Sequence, residues 1–129
     1  MTKPAAKKGD EVTATDTHVV IVAGQPPAPV KVPFKGPLGA KLSPNVLIEH
    51  QPAATVGSVA TNTPTHAPPP GGSFQKPPSN EGRVVSASGT VLINHKGAAR
   101  HGDDVETCND PTDQPVGTVV AASTVRIAD

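Results

Sequence analysis

One short phrase occurs three times along this chain, as Pro4-Ala5-Ala6-Lys7-Lys8-Gly9-Asp10, Pro52-Ala53-Ala54-Thr55-Val56-Gly57-Ser58 and Gly97-Ala98-Ala99-Arg100-His101-Gly102-Asp103. Internal repetition constrains architecture more than any local propensity, because the copies must form the same local structure and pack on one another. A matching segment precedes the second and third copies, Leu42–His50 and Ala87–His95, and a further one, Ala122–Asp129, follows the third. Read with period two, Val46 and Ile48, Val91 and Ile93, and Val125 and Ile127 each share a face, which predicts short strands around a common core. Glu49-His50-Gln51-Pro52 and Asn94-His95-Lys96-Gly97 read as tight turns, so each unit is a hairpin leading to a Gly turn. The Ala-Ala pair implies that neighbouring backbones approach closely there.

The core has to be thin. Among 129 residues there is no Trp or Tyr, and Phe occurs only as Phe34 and Phe74. Val supplies 17 of the 25 Val, Ile and Leu residues, and β-branched side chains suit a pleated surface better than a helix. No window shows sustained helical periodicity, so the expectation is an all-β fold in one domain over 1–129. The 12 Gly and 16 Pro approach the level of disordered chains and keep a Pro-rich adaptor as an alternative; the repeat argues against it. Two Pro-rich segments, about 24–39 and 67–79, are expected to be extended surface loops inserted between repeats.

Eleven basic and eleven acidic residues give a net charge of zero, which excludes the basic footprint of a nucleic-acid binder. The basic N-terminus is followed by no apolar stretch, so no signal peptide is predicted. The longest apolar run, Val19–Ala23, has the length of a strand and not of a membrane span.

The single Cys permits no intramolecular disulfide, which leaves a free thiol, a catalytic thiolate or a metal ligand. His18 and His66 each lie eight residues beyond the end of their phrase, at Asp10 and Ser58, and Cys108 lies five beyond Asp103. Equivalent positions that all hold ligand types predict convergence on one ion, and zinc accepts such mixed nitrogen and sulfur sets. For the fourth ligand His101 is preferred, because it replaces Val56 of the preceding repeat on what reads as the inward parity; His50 and His95, at the hairpin turns, are the alternatives. A shell of three His and one Cys is full, which points to a structural ion. The competing reading is a hydrolase with Cys108 as nucleophile and His66 or His101 as base, although nothing in the spacing demands an orienting group or an oxyanion site.

The phrases, two of them preceded by Ser-x-x-Val-Leu-Ile at Ser43–Ile48 and Ser88–Ile93, resemble the repeats of the PAAR family, the spike tips of contractile injection machines such as type VI secretion systems and phage-tail-like particles. That resemblance implies a pseudo-three-fold pointed cone of hairpin repeats, with zinc held near the apex by His and Cys. It implies a broad base that caps a trimeric β-helical spike protein of the VgrG or phage kind, one copy per trimer. It further implies a structural, envelope-piercing role without catalysis, transient contact with the target membrane, effector cargo as an additional partner, and assembly in the cytoplasm before delivery outside or into a target cell. The chain departs from the family pattern at Lys7-Lys8 and Thr55-Val56, where Arg-Val is frequent, at Ser58 in place of Asp, and in the Pro-rich segments.

Overall fold

A computed structural model describes every residue, Met1–Asp129, and contains strands and no helix. Six short strands form three antiparallel pairs: β1 (Thr2–Pro4) with β13 (Arg126–Ala128), β4 (Leu47–Ile48) with β5 (Gln51–Pro52), and β9 (Leu92–Ile93) with β10 (Lys96–Gly97). The remaining seven are β2 (Glu11–Val22), β3 (Ala28–Ala40), β6 (Val59–Thr61), β7 (Gly72–Phe74), β8 (Glu81–Val84), β11 (Asp104–Thr107) and β12 (Gln114–Val120). They make one sheet in the order β12-β11-β8-β6-β3-β2-β7, and β12 also pairs with β2. Six strands therefore close into a barrel, which leaves no free edge around that circuit.

The barrel interior is filled by Val12, Phe34, Leu38, Ala60, Val84, Val105 and Val119, all nearly inaccessible. Alternation on β2 puts Val12, Asp16, His18 and Val20 on this inner side. Two polar residues thus occupy places that the pattern otherwise gives to apolar ones.

The first Pro-rich segment is not a loop. Its residues 28–40 are β3, a barrel strand paired with β2 from Val20↔Ala28 to Glu11↔Pro37. A strand tolerates Pro wherever the missing N–H would not have faced a partner. Leu38 N–H donates to Asp10 O on the β2 side, whereas Lys35 N–H donates to Asn62 Oδ1, away from β2. Even-numbered positions therefore make the ladder, and Pro29, Pro33 and Pro37 all fall on odd ones. The second Pro-rich segment is mainly irregular, but Gly72–Phe74 pairs with β2 as β7.

The three phrases meet in a closed ring. Ala6 N–H donates to Ala99 O, Ala99 N–H to Ala54 O, and Ala54 N–H to Ala6 O. Each phrase turns at a glycine with nearly the same positive φ, 91° at Gly9, 92° at Gly57 and 89° at Gly102, a conformation that penalises any residue with a Cβ. Each turn is also closed in the same way: Lys7 N–H donates to Asp10 Oδ2 at 2.9 Å, Thr55 N–H to Ser58 Oγ at 2.9 Å, and Arg100 N–H to Asp103 Oδ2 at 2.7 Å. Ser58 thus substitutes for Asp with the same bond.

Successive Ala side chains serve different cores. Ala6, Ala54 and Ala99 face the barrel core, while Ala5, Ala53 and Ala98 pack with Ile48, Ile93 and Ile127 in a second cluster. That second cluster lies beneath the three short pairs, as the period-two reading of those isoleucines predicts. A second polar circuit joins the pairs: Ser43 Oγ donates to Asn94 Oδ1, Ser88 Oγ to Ala128 O, and Thr124 Oγ1 to Glu49 Oε2.

Candidate metal centre

Asp16 and His18 are two apart on β2, so their side chains leave the strand on the same inner side; their exposures are 0 % and 1 %. Opposite β3, the edge of β2 is paired with β12 only through Thr13 and with β7 only from Val20. The gap between them is filled by the turn after β11. Thr17 N–H donates to Asn109 Oδ1 and Val19 N–H to Asp110 Oδ2, both at 2.7 Å, and Asp110 N–H donates to Thr17 O at 2.8 Å. Side chains here replace a strand, and the latch carries the preceding Cys108 inward.

His66 arrives from the irregular segment after β6. Asn80 Oδ1 accepts from His66 N–H at 2.8 Å and from Asn62 Nδ2 at 3.1 Å, and Asn62 Nδ2 lies 3.1 Å from His66 Nδ1. Because Asn62 Oδ1 is held by Lys35 N–H, the amide nitrogen faces the ring, and the imidazole proton sits on Nε2, where it is donated to Asp16 Oδ2 at 2.8 Å. Both phenylalanines line the site. Phe74 meets His18 edge-on with centroids 5.6 Å apart, and Phe34 meets His66 at 6.2 Å.

The ligand atoms of Asp16, His18, His66 and Cys108 lie within 4.8 Å of one another. Cys108 Sγ is 3.5 Å from Asp16 Oδ2, and Asp16 Oδ1 accepts from Thr107 Oγ1 at 2.5 Å. Burial pushes the Cys108 thiol up to about 11, aided by the Asp16 charge and opposed by hydrogen bonds from Asn80 and Ser79. A nucleophilic cysteine needs the opposite environment. His18 supplies the test of fit for a cation. Both of its ring nitrogens are buried without a hydrogen-bond partner, and the nearest carboxylate oxygen, Asp110 Oδ2, stands 3.6 Å from Nδ1. An orphaned buried polar group is destabilising by about 1–3 kcal/mol, and a cation on one nitrogen relieves it. One thiol, two imidazoles and a carboxylate are a donor set suited to zinc. A cavity of about 50 Å³, bordered by His18, Cys108, Asp110 and Pro77–Ser79, adjoins the cluster.

Of the residues expected from the sequence, His18, His66 and Cys108 are gathered here, and His101 is not. His101 is exposed in the Gly102 turn, where its N–H donates to Pro4 O and its Nδ1 accepts from Ala121 N–H at 3.1 Å. The parity argument fails because positions 56 and 101 lie in a turn, where strand alternation has ended. His50 and His95 are exposed at the hairpin turns, with φ of 69° each. Asp16 is the fourth ligand-type residue of the cluster. Its signal in the sequence was its spacing of two from His18 along an alternating strand.

No curated protein and no solved structure matches the chain. A family model described as the PAAR motif matches residues 75–129, the stretch that holds the third phrase, Cys108 and the closing strand. The two upstream phrases turn, bond and bury their alanines as the third does, so all three share the local structure of the stretch that matches the PAAR motif.

Proposed function

We propose that this protein is the tip of a contractile injection particle. The three short pairs form a pseudo-three-fold base that caps a trimeric β-helical spike, one copy per trimer, and the barrel tapers from that base to a zinc-stabilised point that enters the target envelope. The observation that carries the reading is the closed ring of Ala6, Ala54 and Ala99: one chain offers three related surfaces around one axis, which is what a single copy needs to meet three identical partner chains. Leu47 and Leu92, at 59 % and 62 % exposure, occupy equivalent outward positions of β4 and β9 and supply apolar contact for the spike end. A β-helix needs such a cap because its last strands would otherwise present unpaired backbone groups. The PAAR match supports the assignment, and assembly takes place in the cytoplasm before delivery.

The role is mechanical. A thin, Val-rich core leaves little apolar stabilisation near the point, and metal-binding free energy there becomes folding free energy. Mixing the zinc-loaded chain with its cognate spike trimer and weighing the complex tests the proposal: one copy per trimer is expected. Three copies per trimer, or no complex, overturns it.

A further inference from the structure

We propose that Asp16 is itself a metal ligand, so that this chain surrounds its ion with one carboxylate, two imidazoles and one thiolate instead of three imidazoles and a thiolate. The inference rests on the metal site proposed above and specifies its chemistry. Asp16 Oδ2 joins two members of the cluster, 2.8 Å from His66 Nε2 and 3.5 Å from Cys108 Sγ, and all four ligand atoms lie within 4.8 Å of one another. With zinc–oxygen and zinc–sulfur bonds of about 2.0 and 2.3 Å, tetrahedral ligands of these types stand about 3.5 Å apart. The oxygen and sulfur are already at that separation. The oxygen and the His66 nitrogen need to widen only to about 3.3 Å, which a side-chain adjustment supplies.

Three further observations point the same way. Asp16 Oδ1 is occupied by the Thr107 hydroxyl, which leaves Oδ2 as a single, oriented donor. Asp16 is completely buried, and no Lys or Arg pairs with it; a divalent ion balances this carboxylate and the Cys108 thiolate together, leaving only the Asp110 carboxylate beside His18 outside that balance. The remaining imidazoles are committed elsewhere, His101 to Ala121 N–H and His50 and His95 to exposed turns. Ligation through His66 Nε2 moves the ring proton to Nδ1, so the 3.1 Å contact between Nδ1 and Asn62 Nδ2 has to lengthen.

X-ray absorption of the zinc-loaded, unaltered protein reads the shell directly. One sulfur, two imidazoles and one further oxygen are expected, and three imidazoles overturn the inference while leaving the metal site standing. Absence of bound zinc defeats the metal site and the inference with it. The companion experiment is Asp16→Asn, which nearly keeps the shape and removes the charge. Loss of an outer-shell partner lowers metal affinity about 10–100-fold, so loss of a ligand should exceed about 100-fold in a competition titration with a chelator. Affinity kept within about threefold overturns the proposal. Should the variant fail to fold, the absorption spectrum of the unaltered protein decides.

Discussion

Cys108 shows how one residue's surroundings fix its chemistry. In metal-free protein its thiol is pushed from an ordinary 9.0 up to about 11 by burial and by Asp16. The folded state therefore holds its proton while the unfolded chain releases it, and stability falls as pH rises from about 9 to about 11. Alkylation of the folded, metal-free protein should accordingly be slow at pH 8 and fast only after denaturation, as mass spectrometry would show; equal rates in both states contradict the assignment. A second residue-scale prediction concerns the turns. Asn94 and His95 both have positive φ, 53° and 69°, the pair that two-residue hairpins prefer as Asn-Gly. His95→Gly should raise stability by about 1 kcal/mol in chemical denaturation, and a loss would show that the imidazole itself is needed there.

How far the site could be read in advance also turns on single residues. His18, His66 and Cys108 stood out because equivalent positions in a repeat held ligand types, and the fold gathers all three. Asp16 was missed because its pairing partner lies two residues along the same strand, a relation visible only once that strand is known to face inward. His101 was preferred on a parity that does not survive the Gly102 turn.

At the scale of elements, β3 carries the sharpest lesson. Its prolines suggested an insertion, since Pro normally marks loops, yet period-four spacing at 29, 33 and 37 keeps every ring on the side away from β2. The strand character lay in that spacing and not in the composition. Lys31→Pro should therefore be tolerated within about 0.5 kcal/mol, whereas Val32→Pro removes a ladder donor and should be destabilising by about 1–3 kcal/mol or more. Equal effects in thermal melts would refute the parity. The isoleucine strands and the Gly turns, by contrast, were legible as they stand, because strand period and positive-φ glycine each follow from local chemistry. The latch at Asn109 was not, since it joins residues whose |i−j| is 92. Asn109→Ala should leave Thr17 N–H unpaired, lower stability by about 1–3 kcal/mol and weaken metal binding, read by melting with and without zinc.

For the molecule as a whole, only 34 of 129 residues are buried, and twelve of those are polar or charged. A core so small and so polar gives an ion unusual leverage. Zinc at about 1,000 times its dissociation constant stabilises by about 4 kcal/mol, so chelation should lower the melting temperature by more than about 10 °C; an unchanged melt would mean that the fold does not depend on metal. The ring of Ala6, Ala54 and Ala99 has a different effect. Its three amides donate around a closed circuit, so no terminal bond exists at which fraying can start, and none opens without disturbing the other two. Hydrogen exchange at these three positions should proceed at a common rate set by global unfolding, while the amides of β4 and β9, on short open pairs, exchange individually and sooner. The repeats are separate in sequence, but in kinetic terms they form a single unit.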